Sequence, residues 1–145
     1  MNEELVGYLK VVLADHYALY FKAQGHHWNV EGDDFTQYHS FFSDIYDDAI
    51  GAVDGIAENI RKLGAYAPFK MSRFLELTTV PETEVGSDPA AMCADLLLAV
   101  NAVIASNLTA FGCAQMCNEQ GIANDLADRD GMLKKWRWQL TASLK

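Results

Sequence analysis

The chain has 145 residues, half of them hydrophobic, and a formal net charge of −9. That length makes one ordinary domain, residues 1–145, with enough apolar material for a sizeable core. So acidic a chain is a poor partner for nucleic acid, whose phosphates are bound by Lys and Arg that displace counterions. MNEELVGYLK starts acidic and ASLK carries one lysine, so neither end supplies a basic tail, and DNA binding is not expected. No cationic region leads into an apolar one at the N-terminus, so no secretory signal is expected. No apolar run of about 18 residues exists, so no membrane span is expected. The best stretch, MCADLLLAVNAVIASNLTAFGCA, is interrupted by Asp95, Asn101 and Asn107. Cys93, Cys113 and Cys117 are an odd number in apolar surroundings and read as buried, reduced thiols of a cytoplasmic protein. Cys113 and Cys117 lie one helical turn apart, but two thiols alone do not make a zinc site.

The first helix is expected from Glu3 to Val30, with Leu5, Leu9, Val12, Leu13 and Leu19 recurring near helical spacing. Glu3 and Glu4 suit the positive end of its dipole. Glu31-Gly32-Asp33-Asp34 is a turn, in which Gly32 can go left-handed and Asp33 or Asp34 can cap the next helix. That helix runs from Phe35 to Leu63 and stops at Gly64. Pro68 and Pro81 mark a long connection, with a short helix at SRFLELTT. Asp88-Pro89 is a helix start, a capping side chain followed by proline in the first turn. The third long helix runs to Asn118, Gly121 breaks it, and the last spans Asn124 to Leu144. No stretch reads as a strand. Two helical hairpins joined by a long crossover make an all-α fold, a four-helix bundle of the ferritin-like kind with a short extra helix in the crossover. The third helix is apolar nearly all round, which points to burial on more than one side and to oligomers.

Three of the four histidines, His26, His27 and His39, fall in GHHWNVEGDDFTQYHSFFSD. Asp54 and Glu58 follow on the second helix as i and i+4, so both carboxylates point one way and could share a hard cation or iron. Asp47 lies on the same face. His39 precedes Asp54 by 15 residues, or roughly 22 Å along a helix, too far for one metal to bridge. Either His39 is unrelated to the carboxylates, or there are two sites, or two chains pair with their second helices antiparallel. The last arrangement gives two equivalent sites per two-fold dimer. His27 can come near His39 if the hairpin closes. The Glu-x-x-His signature of intrachain di-iron bundles is missing.

The combination His27-Trp28-Asn29-Val30-Glu31-Gly32, Phe35, His39 and Asp54-Gly-Ile-Ala-Glu58-Asn-Ile-Arg61 resembles the Dps-type miniferritins, small ferritin relatives that form hollow twelve-subunit shells. SRFLELTTV and WRWQLTASL look like that family's crossover helix and C-terminal tryptophan segment. The resemblance implies a ferroxidase centre between subunits, with His27 and His39 from one and Asp54 and Glu58 from its partner. It implies oxidation of Fe(II) by hydrogen peroxide, with O2 as a further oxidant. Ferric mineral is then stored in the cavity, and oxidative damage is limited. Zinc is the alternative occupant. One departure stands out: the family usually has an aspartate four residues after the second histidine, and here that residue is Ser43. Asp44 is a further 100° round the helix, whereas Asp47 could act through water. The rival expectation is a catalytically weak or silent metal-binding shell of the same fold. Asp125 and Asp128, and less so Asp130, could line a pore, although carboxylates also suit helix N-termini. Trp28 reads as interface packing or an oxidisable shield, Trp136 and Trp138 as core or subunit contacts, and His16 as an ordinary polar residue of the first helix.

Overall fold

The structure is a computed structural model and describes residues 2–145. Five helices follow in order: α1 (Asn2–Asn29), α2 (Phe35–Lys62), α3 (Met71–Leu77), α4 (Pro89–Met116) and α5 (Gln120–Ser143). The described residues hold no strand. The long helices pair as α1 with α2 and α4 with α5, and α1 also packs on α4. This is the expected four-helix bundle, with α3 lying in the crossover against α1.

Local chemistry explains several helix ends. Asp88 accepts from the Ala91 amide at 3.0 Å, and Pro89 fills the first helical position, where an amide would have no partner. Gly64 ends α2 at φ 90°, its N–H donating to the Arg61 carbonyl and that of Ala65 to Ile60. That double bond is the Schellman arrangement, and glycine suits its left-handed residue. The end of α4 uses the same device with a different residue. Asn118 sits at φ 58°, donating to Gln115, while Glu119 donates to Ala114. Asparagine is among the few side chains that tolerate this conformation. The break therefore falls at Asn118, and Gly121, expected to make it, lies inside α5. Nor is α2 capped as expected: Asp34 is its N-cap residue but makes no side-chain cap bond. Gly32, at φ 132°, does turn the chain there.

The short helix stops two residues before the expected end because Thr78 and Thr79 are held elsewhere. Both hydroxyls and the Thr79 amide donate to the buried Asp15 carboxylate of α1, at 2.7, 2.7 and 2.6 Å. One aspartate thus fastens the crossover to the bundle.

The core is split in two. One apolar cluster gathers Leu19, Phe42, Ile45, Met92, Leu96, Leu133 and their neighbours. The other gathers Leu5, Leu9, Leu13, Ile56, Ile60, Ala110 and Leu126. Between them in every long helix stands a polar residue: His16, Asp48, Asn107 and Arg129. His16, expected to be an ordinary polar residue of the first helix, is fully buried. Its Nδ1–H donates to the Val12 carbonyl at 2.8 Å, and its Nε2 accepts from Arg129 Nε at 3.1 Å. The Arg129 guanidinium grips both Asp48 oxygens at 2.8 and 2.9 Å, and Trp136 Nε1 donates to Asp48 as well at 2.8 Å. Burial, then the Arg129 charge, pushes the His16 pKa down to about 4. Burial raises the Asp48 carboxyl, but the bonds from Arg129 and Trp136 outweigh it and hold the group below its ordinary value.

By length and composition α4 could cross a membrane. Two polar residues that interrupt it, Asp95 and Asn107, are buried and bonded within the bundle. Its outer face leaves Leu98 and Leu108 exposed.

Candidate metal centre

The turn between α1 and α2 folds the two helices back so that His27 and His39 meet. Their rings stack with centroids 3.6 Å apart and planes within 14°. Each Nδ1–H donates to the other residue's backbone carbonyl: His27 to His39 at 2.5 Å, and His39 to His27 at 2.7 Å. These reciprocal bonds fix both tautomers and leave both Nε2 lone pairs free. A histidine that donates through one nitrogen to a carbonyl and offers the other is oriented for metal ligation. Phe35 stacks on the far face of His39 at 4.9 Å, and Tyr46 presents its edge to His27 at 5.2 Å. Both histidines are half-buried.

His26 is committed elsewhere. Its Nε2 bonds Asp95 at 2.8 Å, beside Lys22 at 2.9 Å, while the Thr83 hydroxyl holds the other Asp95 oxygen at 2.6 Å. Burial lowers the pKa of His26 even though the Asp95 bond raises it. For Asp95 burial works upward, but Thr83, Lys22 and His26 together hold the carboxyl below its usual range. This cluster fixes α4 against the last turns of α1, one residue from His27.

Asp54 and Glu58 are both exposed, on the face of α2 opposite the buried Val53, Ile56 and Ile60. They share a side, as i and i+4 must. By helix rise Asp54 remains roughly 22 Å and Glu58 roughly 28 Å from His39, and the structure does not bring the four residues together within one chain. Among the described residues, no three His, Cys, Asp or Glu side chains converge as a metal site. Ser43 lies one turn after His39, but its hydroxyl turns back to the Ser40 carbonyl at 2.7 Å. Asp47 is exposed, whereas its neighbour Asp48 is the carboxylate that turns inward to Arg129.

Asp125 and Asp128 are exposed, and Asp125 accepts from Asn59 at 3.1 Å. Asp130 pairs with Lys134 at 2.9 Å. Because α5 begins at Gln120 rather than Asn124, these residues lie beyond its first turn, where the dipole offers carboxylates little. Trp28 is 65% exposed, and Trp138 66%; Trp136 is buried on Asp48. Beside Trp28 runs a groove of about 1080 Å³ between α1 and the crossover, with Tyr17, Phe21, Phe74 and Leu75 in its walls.

Sequence reasoning missed Asp15, Asp48 and Arg129. Their partners lie 63 or more residues away along the chain, and spacing carries no trace of such pairs.

Comparison with known proteins agrees with this architecture. The Ferritin-like domain family model matches residues 6–128. The chain is 25% identical to DNA protection during starvation protein 2 of Bacillus anthracis, over 99% of each chain. Antigen TpF1 from Treponema pallidum superposes with a TM-score of 0.95 at 26% identity, covering 99% of this chain and 93% of that one. A Dps protein from Vibrio cholerae O1, described as a member of a broad superfamily of ferritin-like diiron-carboxylate proteins, gives 0.94 at 25%, covering 99% and 91%. Storage and oxidation of iron are the general business of such proteins. The chain belongs to the ferritin-like family, as a Dps-type miniferritin.

Proposed function

We propose that two copies of this chain pair so that His27 and His39 of one and Asp54 and Glu58 of the other hold Fe(II) between them. The observation that carries this reading is the pair of unclaimed Nε2 atoms at one end of α2, with two exposed carboxylates at the other. An antiparallel pairing of two α2 helices unites them twice over, as an isologous interface requires. The imidazoles and carboxylates suit iron. Hydrogen peroxide then takes one electron from each of two Fe(II) ions, its O–O bond breaks, and the ferric product hydrolyses with release of protons. O2 can serve as a slower oxidant. The exposed Phe21, Trp28 and Leu75 beside the groove supply apolar surface for a second copy to cover.

Pairs of this kind assemble into a hollow shell, twelve copies in the family it resembles, with the ferric mineral inside. Asp125 and Asp128 line its entry pore. At −9 per chain, the shell attracts Fe(II) and repels DNA.

The test is an anaerobic Fe(II) titration followed by stoichiometric peroxide, with Glu58→Ala alongside. Rapid ferric absorbance, with iron co-eluting with a large assembly and lost in Glu58→Ala, is the expected result. Oxidation no faster than in the variant, with iron precipitating outside, would sink the reading.

A second reading is favoured by Ser43, whose hydroxyl is spent on Ser40. Here the shell binds iron or zinc with weak turnover or none. Ser43→Asp separates the two. A rise in rate and in iron bound per site means the carboxylate was wanting; comparable values mean the site works without it.

A further inference from the structure

The three cysteines do not share one environment. Cys93 is buried, as expected of all three, but Cys113 and Cys117 are half-buried near the end of α4. Four residues apart on one helix, they project from the same side, with Cβ atoms about 5–6 Å apart. The backbone between them is helical, the Cys117 N–H donating to the Cys113 carbonyl at 3.0 Å. The two thiols lie within bonding reach of each other. Glu4 and Tyr8 of α1 stand near Cys113, but the Glu4 carboxylate is engaged by the Tyr8 hydroxyl, which donates to it at 3.0 Å. Tyr8 lies roughly 28 Å from His27 by helix rise, so within one chain the thiol pair is separate from the candidate iron ligands.

Spacing narrows what the pair can do. A disulfide needs Cβ atoms about 3.5–4.5 Å apart, closer than adjacent helical turns allow, so the pair stays a dithiol while the turn holds. Burial, then the contact with Cys117, raises the Cys113 thiol above its ordinary value, which leaves little of the thiolate that peroxide attacks. Zinc wants four ligands, and among the described residues no third His, Cys, Asp or Glu converges on the two sulfurs. Two convergent soft sulfurs do suit a soft ion content with two ligands, and copper(I) is such an ion. Two metal–sulfur bonds of about 2.3 Å, the length thiolates make with zinc, span about 4.6 Å end to end, a gap that thiols on adjacent turns can bridge. The negative end of the α4 dipole favours a cation there as well.

We propose that Cys113 and Cys117 bind one copper(I) ion per chain, a second metal function beside the handling of iron. Copper(I) displaces the proton of each thiol. Two S–Cu bonds form, two S–H bonds break, and both protons pass to water with no change of oxidation state. Copper(I), like Fe(II), gives electrons to peroxide, so an ion held between two thiolates is withdrawn from that chemistry. The site needs neither the pairing of α2 helices nor the oxidation of iron.

The test is an anaerobic titration of the full-length assembled protein with copper(I) in competition with bicinchoninate, whose coloured complex reports the copper left to it. The wild type is expected to take one copper(I) per chain from the chelator, with two sulfur neighbours in X-ray absorption. Cys113→Ser and Cys117→Ser should each weaken binding by about 100-fold or more, beyond the loss usual for a ligand's outer partner. Cys93→Ser should bind as the wild type does. Iodoacetamide mapping of the wild type gives a second reading should serine disturb the helix: copper(I) is expected to shield Cys113 and Cys117 together. Zinc(II), offered against a chelator of its own, should not be held at the pair. Copper(I) left with the bicinchoninate, thiols that copper(I) does not shield, or binding that survives loss of both thiols would overturn the proposal. So would zinc(II) held at the pair as tightly as copper(I), which would mean that further ligands complete a four-coordinate site.

Discussion

His16 and His27 lie on the same helix and meet opposite fates. His16 is buried, and both ring nitrogens have protein partners, Val12 on one side and Arg129 on the other. His27 is half-buried, and one nitrogen is held by His39 while the other is left for something outside the chain. A polar group closed on every side builds the fold, because breaking it leaves buried partners unsatisfied. A polar group held on one side and open on the other is oriented without being used up, which is what a ligand needs. The difference lies in the partners, not in the residue type or its place in the helix.

The sharpest way to break this contrast is to remove Arg129. Arg129→Leu strands Asp48 and the His16 Nε2, and should cost about 3–5 kcal/mol, the usual penalty for halving a buried ion pair. Thermal unfolding at fixed protein concentration measures it, and a loss under about 1 kcal/mol would mean the network is decorative.

The same network makes an acid prediction. The His16 pKa falls from 6.5 in the unfolded chain to about 4 in the fold. Between those pH values the unfolded state binds the extra proton, so stability is full above pH 6.5 and declines as pH falls toward 4. The loss from this one group is about 3 kcal/mol. His16→Gln, which can still donate and accept but does not titrate, should flatten that slope in unfolding midpoints read across the window.

On the open side of the comparison, His39→Ala should lower the initial rate of Fe(II) oxidation by about 10–100-fold or more, the loss usual even for a ligand's outer partner. Its unfolding midpoint should move little, because a half-exposed ring is lost. A large drop in stability with the rate intact would reverse the assignment of the two histidines. The smallest effect belongs to Ser43→Ala. It removes one local bond to Ser40, and should change stability by less than about 0.5 kcal/mol and leave the oxidation rate at the wild-type level. A clear fall in rate would make the hydroxyl a participant.

Much of the fold was readable in the sequence, because helices advertise their starts and stops locally. Asp88-Pro89 and Gly64 act where they stand. The miss at Gly121 is also local: asparagine took the left-handed turn that glycine usually takes, and a glycine inside a helix looks like a stop until a better one is found upstream. The site was legible only in part. The i, i+4 carboxylates and the helix-rise gap to His39 follow from geometry. The exchange of bonds between His27 and His39 does not, since it needs the actual closing of the hairpin. The clasp of Asp15 on Thr78 and Thr79 is likewise invisible from spacing, joining groups that only the crossover brings together.

One feature of α4 bears on how the bundle finds a single arrangement. A helix apolar nearly all round can slide along its neighbours by a turn, about 5.4 Å, and still bury much the same surface. Two side chains forbid it. Asp95 meets Lys22, His26 and Thr83, and Asn107 donates to the Leu126 carbonyl at 2.8 Å. A one-turn slip would strip both of their partners at once, at about 1–3 kcal/mol for each buried group left unpaired. Asp95 and Asn107 thus act as the index pins of an otherwise featureless rod, setting its register while the leucines supply the adhesion.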